Sequence, residues 1–200
     1  MKRYQDVALF LLLLAIVAQT LHVMVRAQPA DDTTAPAPTA LIGDTVPALT
    51  GYTEDSVQTT VSLVADGQHA ATVVYAFHPA CAFCDAVAPE WAAHFAAEDP
   101  NAAPVRRIAV TREVPEPAAT YAQQFNWDID LLSVSGFAET GPEAFLLSRT
   151  PWVYVFDPDG VLRFDAHGAD LEHVDRAVAE VTSVSGAARR SGVGEMSEVK

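Results

Sequence analysis

Apolar and polar positions divide the chain into four stretches. Val7 to Val25 is interrupted only by Gln19, Thr20 and His22. As a helix it would run ~28 Å, about the thickness of a bilayer's hydrocarbon core. Residues 1–26 are therefore read as a membrane anchor or a signal peptide. Ala27 to Ala40 (AQPADDTTAPAPTA) holds prolines and aspartates but no large apolar side chain, the pattern of an extended tether. Residues 41–182 alternate between strand and helix periods and are read as one domain of ordinary size. Residues 183–200 contain Gly186, Gly192, Gly194 and the pair Arg189-Arg190 with no apolar period, and are read as a flexible tail.

Within 41–182, Val57, Thr59, Val61 and Leu63 alternate as a strand, and Asp66-Gly67 marks a turn. Thr72 to Phe77 (TVVYAF) is continuously apolar, β-branched or aromatic, which predicts a strand covered on both faces. From Cys84, the positions Val87, Trp91 and Phe95 recur at helical spacing, with Cys84 at the top of the stripe. A strand over Val105–Val110, a helix over Pro117–Phe125 and a short strand over Ile129–Ser135 follow. A brief helix is expected at Pro142–Arg149. Pro151–Asp157 and Val161–Ala166 predict a hairpin turned at Pro158-Asp159-Gly160. Asp170 is placed to cap a last helix with the stripe Leu171, Val174, Val178 and Val181. The order is that of an α/β domain, a central mixed sheet flanked by helices.

Charge and cysteine count narrow the possibilities. Lys+Arg 12 against Asp+Glu 26 gives a net −14, a sign that repels phosphate backbones and excludes nucleic acid as a partner. Lys2 and Arg3 precede the apolar block, so the positive-inside tendency exports everything after Arg26. The block is long for a signal-peptide core, which favours an uncleaved anchor; Val25-Arg26-Ala27 would suit cleavage. Either outcome puts the domain in the periplasm or another oxidising, extracytoplasmic space. His22 reads as an interfacial residue.

Two cysteines are too few for a disulfide scaffold, and they stand together as Cys81-Ala82-Phe83-Cys84 between a buried strand and a helix. Unpaired N–H groups and the positive end of the dipole favour a thiolate at a helix start. Residues three apart there are ~5–6 Å apart, within the separation a disulfide needs. Cys81, at the tip, is expected to attack; Cys84, one turn in, to resolve the mixed disulfide. A static bridge closing so short a loop would remove little chain entropy. Zinc would want a second ligand pair, which the sequence lacks. Copper is harder to dismiss than zinc, because His78 precedes Cys81 by three and His167 lies downstream. Trp91, Phe95, Trp152, Tyr154 and Phe156 sit at core periods. Trp127 is open between core and surface, and His69, His94 and His173 have no ligand-like spacing.

These residues resemble the thioredoxin superfamily, and within it the TlpA/ResA-like membrane-tethered thiol-disulfide oxidoreductases. The likeness covers about 41–182. It rests on TVVYAF running into C-x-x-C, on Pro89 inside the following helix, on Thr150-Pro151 before WVYVFDPDG, and on Gly168 before the last helix. Residues 112–149 are similar to the extra strand-helix material of TlpA-like proteins. The resemblance implies a cis Pro151 packed against Cys81, with the Thr150 backbone pairing an extended substrate segment as an added strand. It also implies no cofactor beyond the redox-active pair. Three positions depart from the pattern. Ala80 replaces a tryptophan before the first cysteine, Ala82-Phe83 replaces the common proline-containing dipeptide, and Tyr75 stands where thioredoxin has a buried aspartate. The proton relay must then use another group; Glu90, Glu139 and Glu143 are candidates by proximity in sequence, and His78 is a candidate to tune the thiolate.

The sequence thus predicts an extracytoplasmic enzyme exchanging electrons with protein cysteines, in the reducing direction that TlpA-like relatives imply. Its expected partners are cysteine-containing exported proteins, a membrane donor or acceptor of thiol electrons, and the membrane through the N-terminal segment. The alternative is a non-catalytic thioredoxin-fold copper carrier or partner-binding module. Peroxide reduction is disfavoured, because no Pro-x-x-x-Thr/Ser-x-x-Cys arrangement ends at Cys81.

Overall fold

The computed structural model describes residues 42–65, 69–97, 104–137 and 142–193, with the side chains of residues 142, 143 and 185–193 left aside. The expected anchor, the tether and the Asp66-Gly67 turn lie outside these residues. Among the described residues no helix is long and apolar enough to cross a membrane.

Seven strands form one mixed sheet in the order β2-β1-β5-β4-β3-β6-β7. They are β1 (Ala48–Tyr52), β2 (Gln58–Ser62), β3 (Ala71–Ala76), β4 (Val105–Thr111), β5 (Asp130–Ser133), β6 (Trp152–Phe156) and β7 (Leu162–His167). β3, β4 and β5 run parallel, while β6 and β7 return antiparallel on one side and β1 with β2 on the other. The helices are α1 (Ala82–Ala96), α2 (Pro115–Gln124), α3 (Pro142–Leu146) and α4 (Leu171–Val193).

Every residue of β3 is buried, because the strand is central and both faces are covered. Its alternation splits the core. Val73, Tyr75 and Phe77 face a cluster with α1, α2 and α4, including Trp91, Tyr121 and Val174. Val74 and Ala76 face the opposite cluster with Leu49, Leu132, Phe145 and Phe156. Trp91, fully buried, also donates its indole N–H to the Gly168 carbonyl at 2.7 Å. Its loss to alanine would cost ~3–5 kcal/mol as a cavity, before counting the unpaired carbonyl.

Two features differ from the sequence reading. The final helix runs on to Val193, past the boundary placed at 182, because good helix formers such as Ala187, Ala188, Arg189 and Arg190 extend it without an apolar stripe. Asp170 does stand directly before that helix, its carbonyl accepting from Val174 N–H at 3.3 Å, while its carboxylate meets the His173 ring. Strand β1 carries no sequence signal of its own, since ALTGY has only two buried positions, Leu49 and Gly51, too few to register as a period. Trp127 is settled as core, since its indole donates to the Ala88 carbonyl at 3.0 Å. The expected hairpin forms, with Gly160 at φ 73° and the Asp157 carboxylate accepting from the Asp159 and Val161 N–H groups at 2.9 and 3.0 Å.

Candidate functional site

The parallel strands β3 and β4 deliver their C-terminal ends to one edge of the sheet, and the cysteines stand there. Cys81 is the N-cap of α1, in extended conformation (φ −100°, ψ 112°), and its carbonyl accepts the first helical bond from Asp85 N–H at 3.1 Å. Its side chain closes no capping hydrogen bond, but the Phe83 and Cys84 N–H groups, with no carbonyl partner behind them, favour its thiolate. Cys81 is half-buried and Cys84 is 1% exposed, and both are free thiols.

The two sulfurs are pushed in opposite directions. At Cys81 partial desolvation raises the pKa, but the Cys84 and Phe83 N–H groups, the Cys84 thiol and the Thr150 hydroxyl outweigh it. The net result lies below the ordinary thiol value. At Cys84 burial dominates, and hydrogen bonding and repulsion from Cys81 add to it; the His78 N–H, 3.5 Å from its sulfur, opposes them only in part. The Cys84 thiol is pushed up to about 12.

The Thr150–Pro151 bond is cis, and the Thr150 carbonyl lies 3.8 Å from Cys81 Sγ. Behind this loop, Gly168 N–H donates to the Pro151 carbonyl at 3.1 Å. A Cβ on Gly168 would lie 2.6 Å from Trp91 Cζ2 and 2.9 Å from Pro151 Cβ. Cys81, Cys84, Thr150 and Pro151 therefore come together. The Arg149 guanidinium, 3.9 Å over the Trp152 ring and 3.0 Å from Asp165, ties the other side of the loop to β7.

The remaining sequence candidates fall elsewhere. The His78 ring accepts the Ala80 N–H at 3.1 Å, so its imidazole shapes the loop while its backbone N–H serves Cys84. His167 accepts from Ala169 N–H at 3.2 Å and packs edge-on to Trp152. Among the described residues no three His, Cys, Asp or Glu side chains converge to hold a metal ion. Glu90 is exposed on α1; Glu139 and the side chain of Glu143 lie outside the described residues.

Tyr75, in the place of thioredoxin's aspartate, is no base. Its phenol is pushed above its ordinary value chiefly by burial, and its ring is wedged between Trp91 and Phe95 at 5.2 and 4.8 Å. A second tyrosine shares the buried cluster of Cys84. Tyr121 on α2 is 5% exposed and stacks on Phe77 at 5.4 Å. Its buried hydroxyl completes no hydrogen bond among the described residues. After burial itself, the groups that oppose its ionisation are Asp85, Cys84 and Cys81. The only sequence signal for it was the helical spacing Ala118, Tyr121, Ala122, which says buried but not beside what.

This arrangement was compared with known proteins. No family model matches the chain, and no curated protein matches it. Solved structures do. A peroxiredoxin-like protein from Aquifex aeolicus superposes with TM-score 0.57 at 15% identity, covering 73% of this chain and 90% of that one. The thioredoxin domain of a thiol-disulfide oxidoreductase from Bacteroides vulgatus superposes at 0.55 and 16% identity, covering 70% and 99%. The peroxidoxin BcpB from Mycobacterium tuberculosis superposes at 0.53 and 16% identity, covering 72% and 97%. The fold is thioredoxin-like. In this thioredoxin-like chain Val74 and His78 occupy the positions where the Pro and Thr/Ser of the peroxide-reducing arrangement would stand before Cys81.

Proposed function

We propose that this chain is an extracytoplasmic thiol-disulfide oxidoreductase that exchanges electrons with the cysteines of exported proteins. The observation that carries the reading is the asymmetry of the pair: a half-exposed Cys81 with a lowered pKa beneath the Thr150 carbonyl, and a buried Cys84 held protonated behind it. The Cys81 thiolate attacks a substrate disulfide, forms a mixed disulfide and expels one substrate thiolate. Cys84, losing its proton, then bonds to Cys81 and releases the second. The protein dithiol is oxidised by two electrons and the substrate disulfide is reduced. The Thr150 backbone lines up an extended substrate segment, and Phe83, 72% exposed between the cysteines, offers an apolar contact beside the attacking sulfur.

Reduction is the direction that the resemblance to TlpA-like proteins implies. The N-terminal apolar block supports attachment to the membrane, where an electron donor for the pair would reside. The test is to replace Cys84 by serine and isolate exported proteins covalently joined through Cys81. Reducible adducts support the reading. Their absence, together with stoichiometric Cu(I) binding by the unaltered protein, would contradict it in favour of a copper carrier. The equilibrium potential of the pair against glutathione decides the direction: below about −250 mV for a reductant, near about −120 mV for an oxidant.

A further inference from the structure

The ledge beside Cys81 is held from behind. Thr150, whose carbonyl lies 3.8 Å from Cys81 Sγ, belongs to the irregular residues 147–151 between α3 and β6. Backbone bonds pin this stretch at either side: Ser148 N–H donates to the Phe145 carbonyl at 3.1 Å, and Gly168 N–H to the Pro151 carbonyl at 3.1 Å. Between those points one side-chain contact closes across Thr150 and Pro151, for the Arg149 guanidinium lies 3.9 Å over the Trp152 ring. The same guanidinium donates to the Asp165 carboxylate at 3.0 Å. Trp152 stands opposite His167 and Tyr154 opposite Asp165 in the β6–β7 register, so Trp152 and Asp165 share one face of the hairpin. Arg149 therefore clasps its own loop and fastens it to β7. Its Nε is buried without a hydrogen-bond partner among the described residues, as is Nε1 of Trp152. A guanidinium that forgoes a hydrogen bond to lie flat on an indole is placed for the stack.

We infer that Arg149 is a positioning residue for the attack on substrate: its clasp on Trp152 and Asp165 holds the Thr150 backbone where an extended substrate segment must lie for its sulfur to meet Cys81. Arg149 touches none of the reacting atoms and acts through Thr150. A misplaced ledge leaves the Cys81 sulfur able to react but sets an aligned substrate at the wrong distance, a displacement to which such steps are steeply sensitive. This inference rests on the oxidoreductase reading above.

A peptide whose cysteine is joined by a disulfide to nitrothiobenzoate reads the step. The Cys81 thiolate bonds to the peptide sulfur, the bond to nitrothiobenzoate breaks, and the coloured group leaves as the first thiolate; Cys84 then bonds to Cys81 and releases the peptide thiolate. Dithiobis(nitrobenzoate) undergoes the same attack with no extended segment to align. The variants R149M and D165A remove opposite charges and open the same clasp. At a pH where Cys81 is fully ionised, and counted per folded molecule, the first thiolate release from the peptide should slow ~tenfold or more in each. Release from dithiobis(nitrobenzoate) should match the unaltered protein. The ionisation midpoint of Cys81 should rise in both variants, because the Thr150 hydroxyl is no longer held against the sulfur. Midpoints that move in opposite directions mean that the two charges act on Cys81 through their fields, and overturn the clasp. A peptide release at the unaltered rate in either variant, or an equal slowing with both disulfides, overturns it too and leaves the oxidoreductase reading intact. Failure of the unaltered protein to release any coloured thiolate sinks that reading instead.

Discussion

The carbonyl oxygen of Thr150 lies 3.8 Å from Sγ of Cys81, although the two residues are 69 positions apart in the chain. The contact joins the start of α1 to the loop before β6, and Thr150 presents its hydroxyl to the same sulfur. The hydroxyl favours the thiolate, and Thr150→Val removes it at nearly constant volume. The Cys81 pKa should rise in that variant, toward the ordinary thiol value. Thr150→Ser should restore it. The ultraviolet absorbance of the thiolate, titrated in each variant, measures the change.

Cys84 makes the stability of the reduced protein depend on alkaline pH. Its folded-state pKa is about 12, against ~8.5 for an unfolded thiol. The unfolded chain thus loses this proton first. The contribution is complete below about pH 8.5 and is lost as pH rises from there toward the folded value. Cys81, whose folded pKa is lowered, has the opposite sign: its contribution is present above about pH 8.5 and fades as pH falls. Buried Tyr75, Tyr121 and Tyr154 add a slope of their own above about pH 10. Urea midpoints of the reduced protein and of C84A, compared from neutral to alkaline pH, should converge as pH rises. Parallel curves would contradict the buried thiol.

Gly168 is required for space. A methyl group there would meet both Trp91 and Pro151 at under 3 Å, and neither ring can swing away from a packed core. Gly168→Ala should cost ~1–3 kcal/mol and, by moving the Pro151 loop, should slow the first attack by Cys81. Denaturant unfolding and the rate of the first thiolate release check the two effects separately.

Asp157 provides a contrasting control. Its buried carboxylate accepts from the Asp159 and Val161 N–H groups and from the Arg163 guanidinium, at the far end of β6 from the sulfurs. Asp157→Ala leaves these donors unpaired and should cost ~2–3 kcal/mol. The rate of the first thiolate release per folded molecule should stay as it was.

Much of the fold was legible because β3, α1 and the β6–β7 hairpin announce themselves locally. TVVYAF is apolar, β-branched or aromatic at every position, Val87, Trp91 and Phe95 keep a helical period, and Gly160 supplies the positive φ its turn requires. Strand β1 was hidden, since its identity depends on pairing with β2 and on one contact between Tyr52 and Ser133. The end of α4 was hidden too, because residues beyond 182 form helix without an apolar face. At the site, the C-x-x-C context pointed to Cys81 and Cys84, and the resemblance pointed to Thr150 and Pro151. Tyr121 could not be read, because only the tertiary structure gathers it into one buried cluster with Cys84. Likewise His78 attracted notice for its ring, while its backbone N–H is the group that reaches a sulfur.

The most direct test is to alkylate the folded, reduced protein across a pH series and to read each cysteine's labelling by mass spectrometry. The account predicts that Cys81 is labelled with a midpoint below that of free cysteine, ~8.5, while Cys84 stays unlabelled until the medium is strongly alkaline. If Cys81 ionises like free cysteine, or if Cys84 is labelled as readily as Cys81, the assignment of attacking and resolving thiols is wrong.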